Sequence, residues 1–198
     1  MIIPFAAGGP TDVLGRVLAQ RMSEILGQQI IVENVGGAGG MTGSKRVADA
    51  APDGYTFVLG TVGTHAQSQT MYKKPLYHAA TDFTPVALIA EVPIVLITRK
   101  DLPVNDLKAF IAYAKANPGK LSYGSAGAGT MSNLSGELFK QLTGLNDLVH
   151  IPYKGAGPGI TDLVSGHIPV MTPNITGQIL GLHRSGKIRI LAVNAAQR

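Results

Sequence analysis

Two hydrophobic periods alternate along the chain: short β-branched runs that end in glycine, and longer stretches whose apolar residues recur every three or four positions. The first run, Ile2–Phe5, leads into Ala6-Ala7-Gly8-Gly9. That pattern predicts a strand and a tight turn. A helix follows over Pro10–Leu26, with Val13, Leu14, Val17, Leu18, Met22, Ile25 and Leu26 on one stripe. Pro10 suits the first helical position, Gly9 the cap and Gly27 the stop. A strand at Gln29–Glu33, a second glycine loop at Gly36–Gly40, another helix and a strand at Tyr55–Leu59 complete the unit.

The unit then recurs. A strand at Leu121–Tyr123 enters a glycine turn from Gly124 to Gly129 and a helix over Thr130–Leu142. That helix carries Met131, Leu134, Leu138 and Leu142, with Thr130 as N-cap and Gly144 as stop. A strand at Leu148–Pro152, a loop with Gly155, Gly157 and Gly159, a helix at Ile160–Val164 and a strand at Ile168–Met171 follow. Gly8 to Gly36 and Gly127 to Gly155 are both separations of 28 residues. Between the passes lie expected strands at Val86–Ala90 and Ile94–Thr98, then a helix from Asn105 or Asp106 to Lys115. Lys187–Asn194 reads as one more strand, crossing back.

Two β-α-β-α-β units predict an α/β protein of two parallel-sheet lobes with helices on both faces. The expected boundaries are residues 1–100 for lobe 1, with 191–198 returning to it, and 101–190 for lobe 2. Ligands in such sheets sit beyond the carboxyl ends of the strands, where these glycine turns lie, so a cleft between the lobes is expected.

Composition narrows the chemistry. The 198 residues are 45% hydrophobic and 15% charged, with 25 glycines, which describes a well-buried chain with many tight turns. The net charge of +5 is scattered without a basic run, so no nucleic-acid surface is expected. Absence of cysteine excludes disulfides and thiolate metal sites, and suits cytoplasm or bacterial periplasm. The most apolar stretch, Val86–Thr98, is broken by Glu91 and Pro93 and is too short for a bilayer, so no direct membrane insertion is expected. No signal peptide is visible in the chain, but Met1 stands almost directly on a strand, so a trimmed natural start is expected.

Catalytic patterns fail one after another. Thr42, Ser132 and Ile160 stand where a dinucleotide fingerprint needs its third glycine, and Ile188 replaces the Mg²⁺ hydroxyl of a phosphate loop. Ser125 lacks the preceding glycine of a nucleophile elbow. His65, His78, His150, His167 and His183 show no metal-pair spacing, so no metal or cofactor is expected. Backbone N–H groups, hydroxyls and amides remain, and these bind an anion reversibly.

Three stretches carry a resemblance over nearly the whole chain: "PFAAGGPTDVLGRVLAQRMSEILGQQIIVENVGGAGGMTGSKRVADAAPDGYTFVLG", "YGSAGAGTMSNLSGELFKQLTG" and "IPYKGAGPGITDLVSGHIPVM". They resemble the Bug-type extracytoplasmic solute receptors of tripartite tricarboxylate transporters. The resemblance implies a periplasmic-binding-protein-like fold of type II, whose lobes are joined by hinge strands and close on a ligand. It implies a periplasmic protein that captures a small organic carboxylate and delivers it to membrane transporter subunits, and no catalysis. Carried onto this chain, the carboxylate site comprises Phe5, Ala6, Gly8, Gly9 and Asp12, then Ser125, Ala126, Gly127, Gly129 and Thr130. The "GTVGTH" stretch adds Thr61, Thr64 and His65. Asn133 stands where the family often has His. Asn174 replaces an Asp that could pair with a ligand amine, so plain carboxylates are expected over amino acids. Family members also carry residues before the first strand, and a longer C-terminal segment that completes the first lobe. Two other classes stay open: an enzyme of the same architecture acting on a carboxylate, and a receptor-like regulatory domain.

Overall fold

A computed structural model of the chain describes residues 1–195. In the first lobe, β1 (Ile2–Ile3) pairs in parallel with β2 (Glu33–Asn34), and Val58 bridges to Ile2 on the other side. The strands expected at Ile2–Phe5, Gln29–Glu33 and Tyr55–Leu59 thus shrink to a minimal parallel ladder. Pro4 has no N–H to donate to the ladder, and Ala6 N–H bonds instead to Lys154 O of the second lobe at 2.8 Å.

Helix α1 spans Pro10–Leu26, with Gly9 as N-cap and a left-handed Gly27 (φ 64°) as C-cap, as the pattern predicted. Its buried face is different. Asp12, Gly15 and Ala19 face the sheet, while Val17, Ile25 and Leu26 of the expected stripe are 64%, 70% and 59% exposed. A small-residue edge wins because the ladder is close beneath it: a side-chain carbon on Gly15 would stand 2.5 Å from Ile3 Cδ1. After β2, a 3₁₀ turn at Ala38–Gly40 leads into α2 (Met41–Ala48). A π-helical turn at Gly63–Gln67 runs into α3 (Ser68–Met71). No strand forms at Val86–Ala90, where Val86 and Leu88 lie open to solvent between Pro85 and Pro93.

The second lobe holds a five-stranded sheet in the order β5-β4-β6-β3-β7. Its strands are β3 (Ile94–Arg99), β4 (Ser122–Ser125), β5 (Val149–Pro152), β6 (Val170–Met171) and β7 (Ile188–Asn194). β4 is parallel to β5 and β6, whereas β3 runs antiparallel to both β6 and β7. The sheet is therefore mixed, not purely parallel. β3 comes across from the first lobe and enters from the opposite end, and β7 pairs with it from Ile94↔Asn194 to Arg99↔Ile188. Both candidate hinge strands thus belong to this sheet. Residues 196–198 of the expected return to lobe 1 lie outside the described residues.

Helices cover both faces. α4 (Leu107–Ala116) is capped by Asp106, and α5 (Met131–Thr143) by Thr130 and a left-handed Gly144 (φ 72°). They enclose Leu96, Phe110, Tyr123, Leu145 and Val170. α6 (Ala156–Val164) and α7 (Gly177–Arg184) enclose Val95, Ile97, Ile160, Leu163, Met171 and Ile188 on the other face. On β3 the alternation of Val95 and Ile97 against Leu96 feeds both cores, as a strand covered on two faces requires. α5 repeats the behaviour of α1: Ser132, Asn133 and Gly136 are buried, while Leu138 and Leu142 are exposed.

Candidate functional site

The four glycine segments pack crosswise between the lobes. The first turn of lobe 1 meets the second loop of lobe 2: a side-chain carbon on Gly157 would stand 2.1 Å from Ala7 O, and one on Gly155 2.6 Å from Ala6 N. Conversely, Gly39 of the first lobe lies against the second turn, where a side-chain carbon would come within 2.6 Å of Ala128 O. Tyr72 Oη donates to that same carbonyl at 2.9 Å. Only bare backbone fits such an approach. A cavity of about 230 Å³ remains at this second junction, walled by residues 37–40, Tyr72, residues 126–128 and residues 152–154.

Each turn is held from behind by the helix that follows it. Gly8 (φ 76°) donates its N–H to Asp12 Oδ2 at 2.9 Å, and Gly129 (φ 74°) donates to Asn133 Oδ1 at 3.1 Å. Asp12 also takes Arg16 Nε at 3.0 Å and Asn34 Nδ2 at 2.8 Å. Burial alone would raise its carboxyl, yet the hydrogen bonds from Arg16, Gly8 and Asn34 outweigh it and hold the group below the ordinary aspartate range.

Four N–H groups of the second turn are satisfied within their own lobe. Ala126 N–H goes to Ser132 Oγ, Gly127 N–H to Ser125 Oγ, Gly129 N–H to Asn133 and Thr130 N–H to Gly127 O, all within 3.1–3.3 Å. These four N–H groups do not form the open anion cradle the glycine spacing suggested. Positive φ at Gly127 and Gly129 turns them inward.

The "GTVGTH" residues also converge on the lobe junction. Thr64 is fully buried, and its hydroxyl takes Thr61 N–H at 2.8 Å and meets His65 Nδ1 at 2.8 Å. Burial lowers the His65 pKa, and its ring packs edge-on against Phe83. Phe5 reaches this cluster under Gly40, while Gly63 faces Thr130 across the lobes. Asn174 is occupied elsewhere: its amide donates to Val92 O at 2.7 Å, beside the entry to β3.

Several cavity residues escaped the sequence reading. Tyr72, Tyr153, Lys154 and the loop 37–40 line the space, and Lys154 brings a cationic residue to a site that looked uncharged. Tyr153 is fixed by donating to Asp162 at 2.7 Å; burial, then that bond, pushes its phenol up to about 12. His150 also comes in from β5, with Nε2 2.7 Å from Ser125 Oγ. Ser125 is completely buried, so this pair does not present a nucleophile. One signal was legible: the octets Gly8–Gly15 and Gly129–Gly136 share the pattern G-x-x-x-[DN]-x-x-G, which aligns Gly8 with Gly129 rather than Gly127. Among the described residues, no cluster of three or more metal-ligating side chains occurs and no helix is long and apolar enough to cross a membrane.

Glycine turns and loops packed crosswise at the junction of two α/β lobes are those of a periplasmic-binding-protein-like fold. The profile of the tripartite tricarboxylate transporter family receptor matches residues 14–198, and the chain belongs to that family. It is 40% identical to a protein of Agrobacterium vitis encoded in the TAR-I ttuE-ttuC' intergenic region, covering 100% of this chain and 56% of that protein. With BugT of Bordetella pertussis it shares 38% identity over 100% of this chain and 60% of BugT. Solved structures agree over the full chain: the periplasmic binding protein BugD (40% identity, TM-score 0.95, 65% of that chain) and R. palustris Rpa4515 with adipate (41%, 0.93, 66%). MatC of Rhodopseudomonas palustris with bound malate has 38% identity and a TM-score of 0.90 over 67% of its chain. The chain thus spans little more than half the length of the curated relatives it matches.

Proposed function

We propose that this chain forms the ligand clamp of a periplasmic receptor that captures a small organic carboxylate for a tripartite tricarboxylate transporter. The observation that carries the reading is the crosswise packing of glycine backbone around a cavity at the lobe junction, in a family whose members include structures with adipate and malate. Lobe contacts such as Ala6 N–H to Lys154 O and Tyr72 to Ala128 O exist only when the lobes meet, so they favour a closed state and link it to ligand capture. The site residues are the first turn (Phe5, Ala6, Gly8, Gly9), the second turn (Ser125 to Thr130) and the Thr61–His65 segment, joined by Tyr72, Tyr153 and Lys154. Asp12 and Asn133 hold the turns from behind. The ligand leaves chemically unchanged, and membrane transporter subunits are the partners.

Thermal-shift and calorimetric titration with adipate, malate, citrate and aspartate test this. Saturable stabilisation by a di- or tricarboxylate, with the ligand unaltered by NMR, is the expected result. Turnover of that ligand, or tight binding of aspartate alone, overturns it.

A further inference from the structure

The contact between Ser125 and His150 is left over once the receptor reading is made, and it runs from the cleft turn into the body of the lobe. We propose that His150 is a positioning residue for the second glycine turn: a neutral imidazole, protonated on Nδ1, accepts the Ser125 hydroxyl proton on Nε2 and thereby locks Gly127 in place. The proposal rests on the reading of this turn as one wall of a carboxylate cleft.

Hydrogen-bond accounting fixes the direction. Ser125 Oγ accepts the Gly127 N–H at 3.1 Å, so its own proton needs an acceptor. Two are near: Gly127 O at 3.3 Å and His150 Nε2 at 2.7 Å. Gly127 O already takes the Thr130 hydroxyl at 2.7 Å and the Thr130 N–H at 3.3 Å, which uses both carbonyl lone pairs. The proton therefore goes to Nε2, and a bare Nε2 on a neutral ring requires the Nδ1–H tautomer. The Asn133 amide nitrogen does not compete. It lies 3.5 and 3.4 Å from the two ring nitrogens, and such near-equal distances set it over the ring, in line with neither lone pair.

The ring is itself held. Tyr123 stacks on His150 with centroids 4.8 Å apart at 25°, and Tyr123 is fixed by donating to Glu137 at 2.5 Å and accepting from Asn133 at 3.0 Å. Ser125 is fully buried and Gly127 sits at φ 133° in the cavity wall. The serine thus acts on the turn and His150 acts through the serine.

Protonation would undo the lock. Three groups face the imidazole: Tyr123 from β4, and Glu137 and Lys140 from α5. Burial lowers the His150 pKa, Glu137 pulls it partly back and Lys140 adds to the fall, so the proton arrives below the ordinary histidine value of 6.5. Nε2–H then donates to Ser125, whose own proton is left with the filled Gly127 carbonyl.

Imidazole ¹⁵N NMR on the full chain at neutral pH tests the lock without any ligand. The Nδ1–H tautomer at His150, perturbed in Ser125→Ala, is expected; an Nε2–H tautomer overturns the proposal. Calorimetry with adipate and malate, from about pH 5 to about pH 8 across the histidine range, tests the consequence. His150→Phe keeps the aromatic stack and removes the acceptor. It should bind the active probe roughly tenfold more weakly, the loss of one buried hydrogen bond, with its circular dichroism and a cooperative melting transition retained. Ser125→Ala, which removes only the hydroxyl, should give the same loss. On acidification below the histidine range the unmodified protein should lose more affinity than His150→Phe, whose remaining loss follows protonation of the ligand alone. Equal affinities and identical pH profiles overturn the proposal. Should neither probe bind the unmodified protein, the carboxylate reading fails, and the tautomer alone decides the role of His150.

Discussion

Asp12 and Asn133 occupy equivalent places in the two lobes, each accepting the N–H of a left-handed glycine four residues earlier, at 2.9 and 3.1 Å. The partners behind them differ. Asp12 is charged and braced by Arg16 and Asn34, whereas Asn133 is neutral and braced by Tyr123. One geometric device is thus built twice with different electrostatics.

That difference makes acid stability a property of the first lobe. The Asp12 pKa is depressed in the folded state, so its contribution is present above the ordinary aspartate value and lost as pH falls through that value toward the folded one. Asp12→Asn should cost about 1–3 kcal/mol near neutral pH by leaving donors unmatched. Urea melts at descending pH should show the gap between the two proteins closing below about pH 4. A gap that persists unchanged in acid would mean the charge is not the stabilising element.

Gly15 and Gly136 sit seven residues after these paired glycines, and both press a helix onto a strand. A methyl at Gly15 meets the flexible end of Ile3 at 2.5 Å, while one at Gly136 meets the Tyr123 ring at 2.2 Å. Ile3 can rotate away, but Tyr123 is pinned by Glu137 and Asn133. Gly15→Ala should therefore be close to neutral, its strain offset by about 1 kcal/mol of helix propensity. Gly136→Ala should lose about 1–3 kcal/mol from overpacking. Equal melting temperatures for the two variants would contradict this.

Closure is open to a single methyl group. Gly157→Ala adds a carbon 2.1 Å from Ala7 O of the opposite lobe, where the obstacle is backbone and cannot rotate aside. Each lobe should keep its melting behaviour, while small-angle scattering reports a larger radius of gyration and calorimetry a weaker carboxylate affinity. A compact variant of normal affinity would show that the lobes need not come this close.

Tyr72→Phe removes one hydroxyl, the donor to Ala128 O, and leaves the ring in the cavity wall. The loss should be about 0.5–1.5 kcal/mol of binding free energy, as for one ordinary hydrogen bond. Calorimetry should find it in the dissociation constant without a matching fall in thermal stability.

The fold was legible wherever its cause lay within a few residues. Gly27 and Gly144 end their helices in the left-handed conformation, and Thr130 and Asp106 cap theirs, because caps are chemistry between neighbours in sequence. The element order and its repetition followed from the same local punctuation. Helix faces were misread for a physical reason: apolar periodicity marks the greasiest side, but α1 and α5 approach their sheets so closely that small or hydrogen-bonded polar residues (Asp12, Gly15 and Ala19; Ser132, Asn133 and Gly136) are buried there.

The sequence by itself determined that two glycine turns open two helices in two similar α/β units, since backbone conformation and capping are decided by adjacent residues. Tertiary structure alone decided that loops from opposite lobes pack crosswise. It also decided that Tyr72, Lys154 and His150 arrive at the site. Those contacts join residues 25 to 150 positions apart, and no local preference encodes a partner at that distance; it is set by how the two sheets stack their helices and bring the lobes together.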